Sequence, residues 1–457
     1  MKLKSIIIKK LFGLFDYNID LNNEDRLTIL TGPNGYGKTT ILNIIYNLFN
    51  QRFFFFQELN FELISFDFAE GQRIDITKKV GTPKQEQAIK IVNNQPQVYF
   101  KQVSNIEVFL DLFGNNNKIE TFTYNFDIEN KLVIELGKYI PIHKISPNIV
   151  LDNRTGKQLF LRDFLNENID YFPLKIINLI NRQDAVKISE ILSSTNVYII
   201  REERLLIQNR DNNQNISFDR TIEKYAEELK NLISKKQLEA YQIAQKLDSS
   251  FPKRLIECKD EIKEDEFNRR FAALNEKQRQ LQRFGIATGE QSVTVYNVSA
   301  AKVLTVYLDD SEQKLGVYDE LLNKIELFVN LLNEEKFDFK SIVINGTQGF
   351  YFQLNNGQRL KLTDLSSGEQ QEVVILYELL FKTKPNTLVL IDEPEISLHV
   401  MWQKAFIRDL QDIARMKQIS LFVATHSPQI IHNSWYLTRD LYDLANANEL
   451  INENGKE

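Results

Sequence analysis

The chain of 457 residues has one cysteine, Cys258, and only four histidines. A single cysteine excludes an intrachain disulfide and fits a reducing compartment, so a cytoplasmic location is expected. Cys/His spacing of the zinc-binding kind is missing, as is a second acidic triad with a metal-ligand pattern. No apolar run approaches the roughly 20 residues needed to cross a bilayer, so no membrane partner is expected. The apolar part of Met1–Lys10 is too short for a secretory leader, and Ser5–Lys9 reads instead as a first edge strand. Basic excess is also lacking: 56 Lys and Arg stand against 62 Asp and Glu, a net charge of −6. Nucleic acid is therefore not indicated by net charge, although a local basic face stays open. What the chain does have is length for two or three compact units and a heavy aromatic load. Runs such as Phe53–Phe56 are expected in core strands and helix ends.

Two distant segments carry the chemistry. Gly32, Pro33, Asn34, Gly35, Tyr36, Gly37, Lys38 and Thr39 fit the pattern G-x-x-x-x-G-K-[ST], with Thr40 following. Arg26–Thr31 before them reads as a short buried strand, and Thr39–Leu48 after them as a helix. The glycines let the backbone turn tightly and aim its N–H groups at phosphate oxygens, where the helix N-terminus adds partial positive charge. Lys38 would reach the β- and γ-phosphates of ATP, and the Thr39 hydroxyl would ligate Mg²⁺. Far along the chain, Thr387–Ile391 is an apolar run of the parallel-strand type. Asp392 falls at its C-terminal edge, where α/β sheets place ligands, and would hold Mg²⁺ through water. Glu393 is the candidate for polarising the attacking water. His426 follows another apolar strand, Ile419–Ala424, within Thr425–Pro428.

Between these lies Leu365–Gln370, at whose start Asp364, Ser366 or Ser367 could cap the following helix, and whose Ser366, Gly368 and Glu369 are candidate nucleotide contacts by resemblance to the signature segment of ABC-type ATPases. In this order and spacing the four segments resemble the phosphate loop, signature, magnesium strand and switch histidine of ABC-type ATPases. The resemblance implies an α/β P-loop ABC-ATPase head with an antiparallel β-layer, interrupted by a helical, short coiled-coil-like insert. It further implies ATP hydrolysis with Mg²⁺, catalysed through Glu393, His426 and Lys38. Two heads would sandwich ATP, the signature helix of each pointing at the γ-phosphate held by the other. Ser367 stands where the family usually has glycine. That variant, with Glu393–His399 after the magnesium strand, is closer to the Rad50/RecF-like and OLD-like branch than to transporter cassettes. His399 and Trp402 would lie in the dimer-facing loop and the helix after it.

The expected organisation is an N-terminal lobe over 1–136, an insert over 137–340 and a C-terminal lobe over 341–457. Phe61–Leu136 reads as antiparallel strands. Asn196–Ile200 is a further strand whose end carries Arg201 and Arg204, either of them a candidate nucleotide contact. Thr221–Arg283 is charged and helical, with a second helix expected after Pro252. That helix carries Arg269, Arg270, Lys277, Arg279 and Arg283, a solvated face or a nucleic-acid patch. Leu304, Leu308, Ser311, Leu315, Tyr318, Leu322, Ile325, Val329 and Leu332 follow heptad spacing, the seam of a coiled coil or of packing onto its own domain. Thirty-one residues follow His426, too few for the nuclease domain that OLD-like proteins carry there.

Short-armed heads of this kind resemble the ATPase subunits of two-component bacterial anti-phage systems, PARIS foremost and Septu second. That resemblance implies a homo-oligomer, a separate effector protein that is a nuclease, and a phage-protein trigger. A RecF- or Rad50-like DNA-repair ATPase is the alternative, and a transporter cassette the third.

Overall fold

A computed structural model describes residues 2–446 except 22–23, 83, 93–94, 104–105, 139, 147–148, 154–155, 169–175, 179, 181–184, 203, 211–215, 287–294, 334–336, 338, 397 and 399. The chain forms two compact units. One comprises Met1–Glu202, Thr383–Ile396 and Gln403–Glu457; the other comprises Glu203–Lys382 and Ser397–Trp402. Among the described residues no helix is long and apolar enough to cross a membrane.

The first unit is built on a five-stranded parallel sheet, ordered Asn196–Ile200, Thr387–Asp392, Ser420–Ala424, Leu27–Thr31, Thr438–Asp440. Its central strands are largely apolar because both faces are covered: all residues of Leu27–Thr31 and of Thr387–Asp392 are buried. One covering element is the helix Lys38–Phe49, whose Ile41, Leu42, Ile44, Ile45 and Leu48 are wholly buried. Beyond it lies a six-stranded antiparallel sheet, ordered Phe15–Asp20, Leu3–Leu11, Leu63–Phe68, Gln72–Val80, Ile106–Gly114, Asn117–Tyr124. Edge-to-face contacts of Phe49 with Phe66 and Phe68, at 6.3 and 6.2 Å, join helix and sheet. The antiparallel β-layer beside the P-loop helix is thus present.

Local readings are corrected at three places in this unit. Leu3–Leu11 pairs on both sides, with Phe15–Asp20 and Leu63–Phe68, so it is an interior strand and not an edge. Phe126–Leu136 is a helix, started by Asn125, whose side chain accepts from the backbone N–H groups of Asp127 and Ile128. Trp435–Leu437, where the sequence Trp-Tyr-Leu-Thr suggests a strand, is a 3₁₀ turn, and the strand is Thr438–Asp440.

In the second unit the helix Thr221–Glu257 runs straight through Pro252. Proline removes one hydrogen bond and crowds the preceding turn. Here the helix ends five residues later, so little of it lies beyond the lost bond. The break falls after Glu257, and Glu264–Arg283 is the next helix. The heptad also divides. Ala301–Gly316 and Asp319–Asn333 are separate helices, because spacing alone does not register a turn at Gly316–Tyr318. Leu304 and Leu308 pack with Ile262, Phe267 and Leu274 in a small arm core. Phe328 of the second helix instead packs edge-on against Phe350 and Phe381, at 5.8 and 5.6 Å. The stripe is therefore packing within its own unit. Signature helix Ser367–Tyr377 continues into a π-helical turn, Glu378–Lys382.

Candidate functional site

At the C-terminal end of Leu27–Thr31 the chain turns through Gly32, Gly35 and Gly37, with φ of 138°, 88° and 90°. Those angles favour glycine, and a Cβ on Gly37 would stand 3.1 Å from Leu11 Cδ2. Gly37 caps the helix that begins at Lys38, while Pro33, Asn34 and Gly35 are exposed. The Tyr17 hydroxyl donates to the Tyr36 carbonyl at 2.8 Å, tethering the loop to the antiparallel sheet. Lys38 Nζ, only 6% exposed, donates to the Gly32 carbonyl at 3.0 Å and lies 3.7 Å from Glu393 Oε1. Its ammonium is thereby held inside the loop it would need to occupy to meet phosphate. Thr40 is half-buried one residue beyond Thr39.

The two distant segments meet here. Thr39 Oγ1 donates to Asp392 Oδ1 at 3.1 Å, a contact between residues 353 positions apart. Parallel pairing of the strand Thr387–Asp392 with Ser420–Ala424, and of the latter with Leu27–Thr31, brings three strand ends to one edge. Burial raises the Asp392 carboxyl above its ordinary range, against the hydrogen bond from Thr39. A hydroxyl and a carboxylate at this spacing are the hard oxygen donors that Mg²⁺ takes, so the residues fit the ion.

Glu393 has φ of 42°, a left-handed conformation that is uncommon for a side chain of this size. Its N–H donates to the Ala424 carbonyl at 2.9 Å, which fixes the turn. Its carboxyl is pushed up to about 7, by burial first and then by a hydrogen bond and like charge from Glu395, with His426 and Lys38 pulling the other way. His426 Nδ1 lies 2.7 Å from Glu393 Oε2, and the His426 side chain is 51% exposed. Sequence reasoning passed over Glu395, Thr425 and Tyr17 as individual contributors. The only local signal for Glu395 was its place in the Glu-Pro-Glu step.

Ser366 caps the signature helix in the second unit. Its hydroxyl accepts from Glu369 N at 3.3 Å and its own N–H donates to Glu369 Oε2 at 2.8 Å, a reciprocal capping box. Lys340 Nζ holds the other Glu369 oxygen at 2.6 Å. Ser366 and Ser367 are exposed and Gly368 is buried. The two candidate arginines part company. Arg201 lies beside Asn43, at 3.4 Å, and over the Tyr46 ring of the phosphate-loop helix. Arg204 is buried in the second unit, where its charge acts on Glu378. Trp402 packs against Phe337 at 5.5 Å. His399 lies outside the described residues.

The family model described as AAA ATPase domain, AAA_15, matches residues 1–431. No curated protein matches the chain. Among solved structures, the SMC head domain from Thermotoga maritima is similar at 13% identity and a TM-score of 0.32, over 94% of this chain and 91% of that one. The Smc head domain with an extended coiled coil, bound to the C-terminal domain of ScpA, from Pyrococcus furiosus, is similar at 14% identity and a TM-score of 0.33, over 94% and 91%. Both are distant likenesses. The match over residues 1–431 takes in the phosphate loop, the signature segment, the strand ending at Asp392 and the segment at His426, and the chain belongs to the AAA ATPase domain family as an ATPase.

Proposed function

We propose that the protein is a nucleotide-gated switch whose copies close head to head on ATP and reopen on hydrolysis. The observation that carries this is the junction of Thr39 with Asp392 and of Lys38 with Glu393 across the chain. The phosphate loop and Lys38 bind the phosphates, with Thr39 and Asp392 holding Mg²⁺. The ion, when bound, neutralises charge on the phosphate oxygens. Glu393 accepts a proton from water as the water oxygen bonds to the γ-phosphorus and the bond to the β–γ bridging oxygen breaks. ADP and inorganic phosphate leave. His426 lies beside Glu393 and orients the water. Ser366, Gly368 and Glu369 of a second copy meet the γ-phosphate; support comes from the exposed start of an 11-residue helix, whose N-terminal end is electropositive.

Closure and reopening would hold or release a separate effector protein, a nuclease, in the cytoplasm of a bacterium answering a phage-protein trigger. The reading rests on the motif resemblance and on the arm. Arg254 there pairs with Asp310, Arg270 with Asp309 and Glu312, and Lys277 with Asp319. Among the five cations of the candidate nucleic-acid face, Arg270 and Lys277 are thus held by carboxylates and less free for DNA phosphates, which favours a protein partner.

The test is Glu393→Gln with ATP and Mg²⁺, followed by mass determination in solution and mass spectrometry of what co-purifies. A trapped dimer or higher oligomer carrying a stoichiometric nuclease is expected. A monomer under saturating ATP refutes head-to-head closure, and recovery of DNA with repair proteins refutes the effector reading.

A further inference from the structure

The Glu395 side chain is 8% exposed, three residues past the strand ending at Asp392. Its Oε1 accepts from the Thr425 hydroxyl at 2.7 Å and from the His426 backbone N–H at 2.9 Å. His426 Nδ1 stands 3.5 Å from the same oxygen and 2.7 Å from Glu393 Oε2. One carboxylate oxygen thus holds two consecutive residues of the switch segment. Thr425 is fixed further: its N–H donates to the Leu30 carbonyl at 3.1 Å, and its hydroxyl accepts from Ser427 N at 3.0 Å. The imidazole, by contrast, is half exposed. Its aim at Glu393 depends on where the backbone at His426 is held.

We propose that Glu395 is a positioning residue for hydrolysis, an acceptor clamp that locks the Thr425–His426 backbone so that the His426 ring meets Glu393. A buried carboxylate at a loop is costly unless hydrogen-bonded, and here Oε1 takes both of its bonds from the switch segment. Glu395 itself touches no reacting atom. Its contribution lies in geometry, where a misplacement of about 1 Å costs on the order of 10²-fold in rate. The inference rests on the assignment of Glu393 and His426 to the hydrolytic step.

The experiment compares Glu395→Gln, Glu395→Ala and Thr425→Val on the full chain, reading kcat, KM for ATP, binding of a fluorescent ATP analogue, and Tm. The glutamine carbonyl still accepts both bonds, so at pH 8, where loss of the Glu395 charge beside Glu393 matters least, Glu395→Gln should keep kcat within about 3-fold. Glu395→Ala should lose on the order of 10²-fold in kcat with KM and analogue binding nearly unchanged. Thr425→Val, which removes one donor from outside the carboxylate, should fall between them and keeps the test open if Glu395→Ala folds poorly. Equal loss in the glutamine and alanine variants overturns the acceptor clamp, since charge would then be what matters. Parallel loss of binding and kcat, or a neutral Glu395→Ala, overturns positioning. Glu393→Gln is assayed alongside: parental turnover in that variant means the underlying assignment fails, whereas a dead Glu393→Gln with a neutral Glu395→Ala discards the clamp alone.

Discussion

A carboxyl pushed up to about 7 by burial and by Glu395 places the ionisation of Glu393 where hydrolysis can be followed through it. A general base works only as carboxylate, so activity should rise with pH and level off above the shifted value. For a group titrating near 7, about 9% is ionised at pH 6 and about 91% at pH 8, a rise of roughly 10-fold. The parameter to measure is kcat/KM, because it reports ionisation of the free enzyme, the state in which Glu393 faces Lys38 and His426. Initial rates of phosphate release from pH 5.5 to 8.5 supply it. Binding of a non-hydrolysed ATP analogue over the same range separates ionisation of ATP from that of the protein. Stability runs in the opposite direction. A folded-state value above the ordinary 4.5 means that Glu393 contributes stability below about pH 4.5, and that this is lost as pH rises through about 7. Glu393→Gln, which never ionises, should therefore show a higher Tm than the parent at pH 8 and little difference at pH 4.5. A kcat/KM profile flat from pH 6 to 8, or one falling over that range, refutes the reasoning.

Other perturbations test the frame around the site. Lys38→Ala should abolish ATP binding by calorimetry while leaving the fold intact; a Kd within 3-fold of the parent contradicts the phosphate-loop assignment. Gly349 has φ of +77°, and a Cβ there would stand 1.8 Å from the Ala226 carbonyl oxygen. Backbone would meet backbone, so Gly349→Ala should cost about 4 kcal/mol and lower Tm by roughly 10 °C. An unchanged Tm would show that the strand Gly349–Leu354 does not pack on the helix Thr221–Glu257. The Tyr225 hydroxyl donates to Glu378 Oε1 at 2.6 Å inside the second unit, where burial raises the Glu378 carboxyl. Tyr225→Phe removes a bond that favours the ionised form and should cost about 1.5–3 kcal/mol by chemical denaturation, more at pH 8 than at pH 5. Equal loss at both pH values would mean that Glu378 is not the group affected.

Much of the fold and the family was legible in the sequence because the informative signals are local. A glycine-rich turn followed by lysine and threonine must lie between a strand and a helix to be useful. An unbroken apolar run ending in Asp392 has to be a strand covered on both faces. Helical arms show as charged runs with one apolar stripe. Where the reading failed, the signal was equally local but the deciding interaction was not. The heptad from Leu304 to Leu332 continues across a turn because spacing registers only the side of a helix, not whether there is one helix or two. Pro252 looked like a start because proline favours first turns, whereas here it lies in the closing turns of Thr221–Glu257. Leu3–Leu11 looked like an edge because its second partner, Leu63–Phe68, lies more than fifty residues away. The sequence by itself determined the chemistry available: the oxygens, the ammonium, the imidazole and the glycines that let backbone approach phosphate. Only the tertiary structure decided which of them meet. Strand order places Thr39 against Asp392, a positive φ at Glu393 turns its carboxylate toward Lys38 and His426, and Glu395 holds the switch segment. Hydrogen bonds and buried charges act over a few ångströms, whereas the residues that form them are hundreds of positions apart.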